Sequence, residues 1–589
     1  MNIKQKIARL REMMRLHHLD YYLVPGTDPH QNEYLPAMWD RRTFISGFDG
    51  SNGDIAIGLD RSYLWTDGRY ELQAKQQLDS HEFEIFISAQ GSDSSLVSFF
   101  SKLSTPIRLG VDPQLISVME AKRLEEALRE QGSSVIYLQE NLIDALHTTL
   151  PSFKPHPIQI LSETETGEAT AHKIKKLQAH LNGLHCDGMI LNDLPSIAWL
   201  FNLRGQDIPF NPLFLSYALI RPTLCTLYLN PESVTAELKA ELARLQIELK
   251  DYRHFYQDYA TLHFKRLNLD PRKNSQALLN GTHFEAAHFE ASPIDAWKAC
   301  KNPVEIQGAI EAHRLDALAE VQFLTWLETH GVGETECSIS EVLLRFRQQA
   351  TSFQSPSFAT IAGYADHGAI IHYHPHKNHE HTIGNEALLL IDSGGQYREG
   401  TTDITRTVHL GTPSAFEKEC YTLVLKGHLA LRMARFSHGT RGEHLDALAR
   451  QFLWQKGFNY GHGTGHGVGA YLCVHEGPQR ISTGATTTPL LPGMIVSNEP
   501  GLYLPGRFGI RIENLIYVKK AKIDSEFGAF YEFEDLTLVP YSRKLIAVDL
   551  LSPEERQSIN QYHKKVWDRL HQDLTGDALA WLKRETAAL

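Results

Sequence analysis

Two stretches of the chain repeat one pattern of hydrophobic and polar positions. A helical pattern at residues 6–10 leads into an apolar, strand-like run at residues 20–24, and residues 173–177 lead into residues 187–191 in the same order. The offset is constant, because 173 − 6 and 187 − 20 both equal 167. A helix followed by a short apolar strand is typical of an α/β unit. The pattern therefore predicts two related α/β domains, since the period is far too long for a solenoid repeat.

Prolines and a helix cap predict the domain boundaries. Three prolines within residues 151–157 interrupt regular structure and predict a linker. Asn302 is suited to cap a helix that starts at Pro303 and whose pattern continues to residue 328. Beyond this point the chain mixes long helices with hairpin-like strands, an α+β pattern. We therefore expect α/β domains at residues 1–155 and 156–302 and a third domain at residues 303–589.

Composition and charge exclude several classes of protein. The chain has 589 residues, too many for one hydrophobic core. Its net charge of -12 argues against nucleic acid or anionic lipid as the main partner. The pattern shows no apolar run of membrane-spanning length and no apolar core typical of a secretory signal at the N-terminus. The 6 cysteines are scattered without a Cys-x-x-Cys pair, which predicts reduced thiols in a cytoplasmic protein.

Two aspartates near predicted strands are the first candidates for chemistry. Asp392 ends the apolar run at residues 388–392, and Asp403 precedes the β-branched run at residues 405–408. A hairpin-like pair of strands brings both carboxylates to one end of a sheet. Aspartate is also common in turns and helix caps, so this pair alone is weak evidence.

Four further residues have contexts that are harder to explain by packing. His462 and His466 lie in the glycine-rich residues 461–469, where glycine removes side chains that would crowd an ion. Glu499 follows a predicted strand at residues 494–498. Glu513 is predicted to lie within an apolar strand at residues 510–518, where a carboxylate is costly unless it is paired or binds a metal. For Glu513 a salt bridge with Arg511 is the alternative.

Five of these residues form a candidate ligand set for two metal ions: Asp392, Asp403, His466, Glu499 and Glu513. Four carboxylates and one imidazole suit divalent ions such as Mn²⁺, Co²⁺ or Zn²⁺. Four negative charges balance two divalent cations, so a buried site of this kind is neutral when filled. The set therefore predicts a metallohydrolase.

The ordered set resembles that of the pita-bread metallopeptidases of family M24, which include methionine aminopeptidase, prolidase and aminopeptidase P. The resemblance implies that Asp392 binds one metal ion and that His466 and Glu499 bind the other. It implies that Asp403 and Glu513 bridge both ions. It also implies that Glu499 carries the proton during catalysis.

The resemblance continues outside the ligands. It implies that His372 and His475 orient the substrate and take part in catalysis. It implies that His462 lines the pocket beyond the scissile bond and also contributes to catalysis. Tyr503 and Arg511 resemble the pair that supports this substrate pocket and the first aspartate.

The N-terminal half favours one branch of the family. Its segments resemble the three-domain, eukaryotic cytosolic-type Xaa-Pro aminopeptidase (aminopeptidase P), in which two creatinase-like α/β domains precede a pita-bread catalytic domain. The resemblance implies two metal ions per chain, with Mn²⁺ expected and Co²⁺ or Zn²⁺ as alternatives, peptide substrates with a penultimate proline, and a homodimer. Residues 363–368 depart from the family, which usually has a Pro-Asn pair there. The matching segments are residues 30–34, 45–51, 65–70, 197–205, 533–537 and 581–586.

Three other functions remain open at this point. A prolidase-like dipeptidase would cleave only Xaa-Pro dipeptides, whereas aminopeptidase P cleaves longer peptides. The pita-bread fold also serves as a metal-free module that binds peptides or histones, and as a metal-free amidinohydrolase like creatinase. Both metal-free alternatives predict broken ligand positions, whereas all five are intact here.

Overall fold

The structure is a computed structural model that describes residues 1–88, 95–147 and 151–589. The chain divides into two compact units. One consists of Met1–Glu163 and Glu168–Ile294, and the other of Thr164–Gly167 and Asp295–Leu589. In the described part of the chain, every helix is too short or too polar to cross a bilayer. All six cysteines are free, as expected for reduced thiols.

The first unit contains two six-stranded mixed sheets with the same topology. Each is built around a central strand, Tyr21–Val24 in one sheet and Gly188–Leu191 in the other, which pairs antiparallel on one side and parallel on the other. The strands of the first sheet, in spatial order, are Phe83–Ser88, Ser62–Asp67, Asp54–Gly58, Tyr21–Val24, Arg108–Val111 and Ser134–Tyr137. Those of the second are Ile247–Asp251, Cys225–Leu229, Ser216–Ile220, Gly188–Leu191, His263–Leu269 and His283–Phe289.

The helices confirm the predicted repeat. Ile3–Leu16 leads into the strand that starts at Tyr21, and Thr170–Gly183 leads into the strand that starts at Gly188. Both offsets are 167, since 170 − 3 and 188 − 21 agree. The other helices of this unit are Arg41–Ser46, Glu71–Gln77, Leu96–Ser101, Val118–Arg129, Leu194–Phe201, Ala236–Arg244, Phe255–Ala260 and Gln276–Asn280, and a short ladder pairs Gln159–Ile160 with Leu203–Arg204.

The two halves of the first unit contact each other through equivalent residues. The backbone N–H of Val118 donates to the carbonyl of Asn274 at 3.0 Å, and that of Gln276 donates to the carbonyl of Ile116 at 2.9 Å. The two donors are 158 positions apart and so are the two acceptors, since 276 − 118 and 274 − 116 both equal 158. The contact therefore has the reciprocal pattern of a two-fold interface, in which each partner offers the same donor and acceptor.

A long helix opens the second unit, as the sequence predicts. Asn302 accepts from the backbone of Val304 and Glu305, and the helix Pro303–His330 follows this cap. The other helices of the unit are Glu336–Arg347, Ala415–Arg432, Gly442–Trp454, Pro553–Leu570 and Gly576–Glu585. Two short helices, Glu163–Thr166 and Pro293–Ala299, lie where the chain passes between units.

The sheets of the second unit are small and mostly antiparallel. A six-stranded sheet contains Arg435–Ser437, Phe530–Asp535, Asn514–Lys520, Ile495–Asn498, Gly465–Gly467 and Glu476–Ile481 in that order. A three-stranded sheet contains Ile361–Tyr364, Leu388–Ser393 and Ile404–His409, and another contains Phe353–Pro356, Gly395–Tyr397 and Gly400–Thr401. Gly501–Leu504 pairs with Phe508–Arg511 in a hairpin.

One apolar core joins the long helices, a three-stranded sheet and the hairpin. It includes Val321 and Tyr421 from the long helices, Ile391 from the three-stranded sheet and Ile510 from the hairpin, all almost fully buried. Full burial of one such aliphatic side chain contributes roughly 1.5–3 kcal/mol. Since Leu388–Ser393 and Ile404–His409 contribute to this core, packing fixes the backbone beside Asp392 and Asp403.

The prediction of a single strand at residues 510–518 is wrong in one respect. The structure has two strands, Phe508–Arg511 and Asn514–Lys520, which belong to different sheets. Between them the backbone N–H of Glu513 donates to the carbonyl of Thr405 at 3.1 Å. The chain crosses from one sheet to the other at Glu513. The sequence does not show this crossing, because the apolar pattern continues through it.

Candidate metal centre

The two aspartates lie at neighbouring strand ends, as predicted. Leu388–Ser393 pairs antiparallel with Ile404–His409, and Asp392 is directly opposite Thr405. Asp403 immediately precedes the second strand. Both aspartates are buried, with 8% and 4% of their surface exposed. The apolar strand thus delivers two carboxylates into the protein interior.

Glycine lets the chain bring His466 close to the neighbouring strand. A Cβ atom on Gly465 would lie only 2.0 Å from the carbonyl oxygen of Ser497, so a side chain at this position would push the strands apart. The backbone N–H of His466 donates to Ser497 Oγ at 2.9 Å. Ser497 Oγ in turn donates to Glu499 Oε1 at 3.0 Å. Ser497 therefore aligns two of the candidate ligands.

The candidate ligand atoms converge. His466 Nε2 lies 3.4 Å from Asp403 Oδ2 and 3.5 Å from Glu499 Oε1. One ligand atom each from Asp403, His466 and Glu513 lies within 4.8 Å of the other two, a spacing that suits a shared metal ion. Glu513 is 1% exposed and accepts from Thr405 Oγ1 at 2.7 Å.

Asp392 joins this cluster through a buried arginine. Arg511 Nη2 donates to Asp392 Oδ2 at 2.6 Å, and Arg511 Nη1 donates to Tyr503 Oη at 2.7 Å. Tyr503 Oη also lies 2.8 Å from His462 Nε2, and His462 Nδ1 lies 2.7 Å from the carbonyl of Gly463. Since the carbonyl only accepts, Nδ1 carries the proton and Tyr503 donates to Nε2. The arginine therefore forms its salt bridge with Asp392. The alternative explanation of Glu513, a salt bridge with Arg511, is wrong.

The other two predicted histidines occupy different surroundings. The His475 ring is perpendicular to the His466 ring, with centroids 4.5 Å apart, so His475 lies beside the cluster. His372 is half-buried in the irregular segment after the short 3-10 helix Ala365–Ala369. A Cβ atom on Gly509 would lie 1.7 Å from the carbonyl oxygen of Gly368, so this segment packs against the strand that carries Arg511.

Burial and crowded negative charge perturb the ionisation of the cluster. Burial raises the pKa of Asp403 to about 6; the charge of Asp392 adds to this rise, while His466 opposes it. Burial and the nearby carboxylates, Asp403 first, raise the pKa of Glu513 well above its ordinary value. Burial alone would lower the pKa of His466, but its bond to Asp403 and the charge of Glu499 raise that pKa to about 9.

The donor set fits divalent metal ions. Asp392 Oδ1 and Asp403 Oδ1 are buried oxygens without a hydrogen-bond partner among the described residues. A buried acceptor of this kind costs free energy unless something binds it. Arg511 offsets one of the four carboxylate charges, so the cluster keeps a net negative charge when its carboxylates are ionised. Two divalent cations would supply both the missing contacts and the missing charge.

Sequence reasoning missed Thr405 and Ser497. Thr405 Oγ1 donates to Glu513 and accepts from Arg511 Nε at 3.1 Å, which links two parts of the cluster. Its place two residues after Asp403 is a signal, because side chains at positions i and i+2 of an extended chain share a face. Ser497 has the same relation to Glu499.

Comparisons with protein families agree with this geometry. A profile of the metallopeptidase family M24 matches residues 307–520, and one of the C-terminal region of peptidase M24 matches residues 529–589. Profiles of the creatinase/prolidase N-terminal domain match residues 6–146 and 149–305. The probable Xaa-Pro aminopeptidase P of Neosartorya fischeri is 39% identical over 100% of this chain and 93% of its own length. That of Fusarium vanettenii is 40% identical over 99% and 98%.

The chain belongs to the Xaa-Pro aminopeptidase P family. Among solved structures, the X-prolyl aminopeptidase of Caenorhabditis elegans, described as a cytosolic enzyme with a dinuclear active site, is 32% identical with a TM-score of 0.94 over the whole of both chains. The prolidase of Pyrococcus horikoshii is 24% identical with a TM-score of 0.50, covering 63% of this chain and 99% of its own, which shows the fold alone.

Membership of the aminopeptidase P family confirms the predicted fold class, with two creatinase-type domains before an M24 domain. It also confirms the prediction of a metallopeptidase. The dinuclear neighbour supports the prediction of two metal ions. The role of each ligand stays a prediction.

Proposed function

We propose that the protein removes the first residue from peptides whose second residue is proline, in a reaction that needs two divalent metal ions. The observation that carries the proposal is the cluster of Asp403, His466 and Glu513, found in a chain of the aminopeptidase P family. The relatives' names supply the substrate class. The cluster supplies the chemistry, because such a set of ligands is typical of metallohydrolases.

The metal ions would be held by the predicted ligand set. Asp392 would bind one ion, and His466 and Glu499 the other, while Asp403 and Glu513 would bridge both. When bound, two such ions polarise a scissile carbonyl and lower the pKa of water enough to give a nucleophile at neutral pH. We propose Mn²⁺ as the native ion, with Co²⁺ or Zn²⁺ as alternatives.

Glu499 is the proposed proton carrier. Its Oε1 accepts from Ser497 Oγ, and its backbone N–H donates to the carbonyl of Thr464 at 2.8 Å, so the carboxylate is held in one orientation. In this position Glu499 would accept a proton from the attacking water and deliver it to the leaving nitrogen. His475 and His372 would donate hydrogen bonds to the substrate carbonyl and to the oxyanion that forms from it.

The connected side chains of His462, Tyr503 and Arg511 are the proposed boundary of the proline pocket. Proline has a fixed φ angle and no N–H, so a pocket that recognises it needs shape rather than an acceptor for an amide proton. Burial raises the pKa of Tyr503, although Arg511 opposes the rise, and its hydroxyl stays neutral. The chain of hydrogen bonds therefore fixes three side chains without leaving a free charge toward proline.

Cleavage of defined peptides tests this function. We expect a metal-loaded preparation to release the first amino acid from Xaa-Pro-Xaa and from longer peptides of this form. Activity confined to Xaa-Pro dipeptides would favour the prolidase-like alternative. Binding of such peptides with no turnover in the presence of Mn²⁺, Co²⁺ or Zn²⁺ would favour a non-catalytic module.

The proposal also covers the oligomeric state, the cellular location and the domain boundaries. We propose a homodimer, to be measured as mass in solution by light scattering. We propose a cytoplasmic location, supported by the cytosolic Caenorhabditis elegans neighbour and testable by cell fractionation. We also propose the boundaries of residues 1–155, 156–302 and 303–589, which limited proteolysis would test.

A further inference from the structure

One buried carboxylate outside the metal cluster organises the segment that carries His372. We define the His372 loop as residues 364–381, which begins at the end of the strand Ile361–Tyr364 and contains the 3-10 helix Ala365–Ala369. The loop has little regular structure of its own. The helix Glu336–Arg347 starts beneath it, and the side chain of its first residue is completely buried.

The carboxylate of Glu336 accepts four hydrogen bonds from the His372 loop. The backbone N–H of Tyr364 donates at 2.7 Å and that of His381 at 2.8 Å, so both ends of the loop meet at one side chain. Tyr373 Oη donates at 2.8 Å. His367 Nδ1 lies 3.0 Å away and carries the proton, because a carboxylate only accepts. Glu336 thus fixes the start, the middle and the end of the loop.

A second contact closes the base of the His372 loop. The rings of His367 and His381 stack with centroids 3.6 Å apart and an angle of 14° between their planes. His381 Nε2 lies 2.9 Å from Asp366 Oδ1. Asp366 and His367 lie within residues 363–368, the stretch in which the chain departs from the family. The departure found in the sequence is therefore tied to Glu336.

The His372 loop also contacts a strand of the candidate metal centre. Gly368 packs against Gly509 on the strand Phe508–Arg511, and Arg511 on that strand donates to Asp392. Glu336 therefore holds one side of a segment whose other side lies against the strand that carries Arg511. His372 follows this packed turn directly, and Tyr373, its neighbour, is one of the donors to Glu336.

We propose that Glu336 is a positioning residue for catalysis, which holds the His372 loop so that the His372 imidazole meets the substrate. The proposal rests on the proposed function, in which His372 contacts the substrate. A carboxylate is needed because four donors converge on it. Glutamine has the same volume but only one acceptor oxygen, and its N–H groups would face the N–H groups of the loop.

A double-mutant cycle with His372 tests the proposal. In metal-loaded full-length enzyme, we expect Glu336→Gln to lower kcat/KM for Xaa-Pro-Xaa by about 10²-fold, the effect of misplacing a catalytic group by about 1 Å. The loss should appear in kcat rather than KM, since the contact strengthens in the transition state. In a His372→Ala background, Glu336→Gln should cost less than about 3-fold, because the group it positions is gone. A loss of the same size in both backgrounds would overturn the proposal.

Two further variants guard against a general folding defect. Glu555→Gln makes the same change at another buried glutamate, which bonds to Lys426 and caps the helix Pro553–Leu570, and should leave kcat unchanged. If Glu336→Gln fails to fold, Tyr373→Phe removes a single hydroxyl from the network. It should lower kcat by a smaller factor, again only when His372 is present, and an equal loss without His372 would contradict us.

Hydrogen exchange gives a readout that does not depend on activity. Amides of residues 364–381 should exchange faster in Glu336→Gln than in wild-type protein, while the metal content stays at the wild-type value. Unchanged exchange in the loop would overturn the proposal even if activity falls. If wild-type protein fails to cleave Xaa-Pro-Xaa, the proposed function fails, and the exchange experiment still decides whether Glu336 holds the loop.

Discussion

Replacing Glu499 by glutamine separates chemistry from folding in this site. The substitution preserves the side-chain volume, and the amide oxygen can still accept from Ser497 Oγ, which lies 3.0 Å away in the native protein. The backbone bond from Glu499 to the carbonyl of Thr464 is unaffected. We therefore expect Glu499→Gln to change the free energy of unfolding by no more than about 1 kcal/mol, the worth of one altered hydrogen bond.

The expected effect on turnover is much larger. An amide does not take up the proton that the proposed mechanism gives to Glu499. General acid–base catalysis contributes about 10²- to 10⁴-fold to a rate. At 1.36 kcal/mol for each factor of ten, this range corresponds to about 2.7–5.4 kcal/mol of transition-state stabilisation. Glu499→Gln should therefore lower activity strongly while it changes stability only slightly.

The assay is steady-state cleavage of Xaa-Pro-Xaa at saturating Mn²⁺, with metal content measured by elemental analysis and stability by thermal unfolding. The metal measurement is needed because Glu499 is also a proposed ligand, and a lost ion would by itself explain a lost rate. Glu555→Gln is the matched control at a distant buried glutamate. A kcat within 10-fold of wild type in a sample with two ions per chain would remove Glu499 from the proton transfer.

The remaining predictions concern metals, histidines and substrates. Purified protein should bind two ions per chain, and chelation should abolish an activity that Mn²⁺ restores; full activity after complete removal of metal would refute the mechanism. His475→Ala and His372→Ala should each lower kcat by about 10²-fold or more while both ions remain bound, and loss of metal from either would make that histidine a ligand. Xaa-Pro-Xaa should release only its first residue, whereas Xaa-Ala-Xaa and N-acetylated peptides should react poorly; mass spectrometry of the products decides, and equal cleavage of Xaa-Ala-Xaa would contradict the proposed specificity.

Sequence reasoning succeeded where the local pattern and the tertiary structure agree. The repeat with an offset of 167 was readable because each helix and strand has a strong periodicity of its own. The helix at Pro303 was readable because its cap residues are adjacent in sequence. Asp392, Asp403 and His466 were readable because each sits in an unusual local context, an apolar strand end or a glycine-rich run.

The contacts between distant segments could not be predicted in this way. Arg511 is two residues from Glu513, which made that pairing the natural expectation, yet it bonds to Asp392, 119 positions away. The chain crosses from one sheet to the other at Glu513, and Thr405 Oγ1 links the side chains of Arg511 and Glu513. Glu336 gave no signal at all, because a glutamate in the first turn of a helix is ordinary. Its burial depends on a loop that starts 28 residues later.

Buried ions hold the other two histidine segments as well. Arg450, on the helix Gly442–Trp454, donates to Asp446 at 2.7 Å and to the carbonyl of His462 at 2.7 Å, and Asp446 accepts from Thr464. The segment with His475 continues into Glu476, which lies 3.2 Å from Lys298 and 3.4 Å from Lys301, all nearly inaccessible to solvent.

Buried ion pairs contribute little net stability to the fold. Desolvation of both charges offsets most of their attraction, so well-packed apolar residues of the same volume would stabilise the fold about as well. Apolar packing, however, does not specify direction, whereas an ion pair fixes where two particular atoms lie. His372, His462 and His475 lie outside regular strands. A catalytic group displaced by about 1 Å loses much of its effect. We therefore infer that these buried charges orient the segments with His462 and His475. The buried carboxylate of Glu336 does the same for the segment with His372.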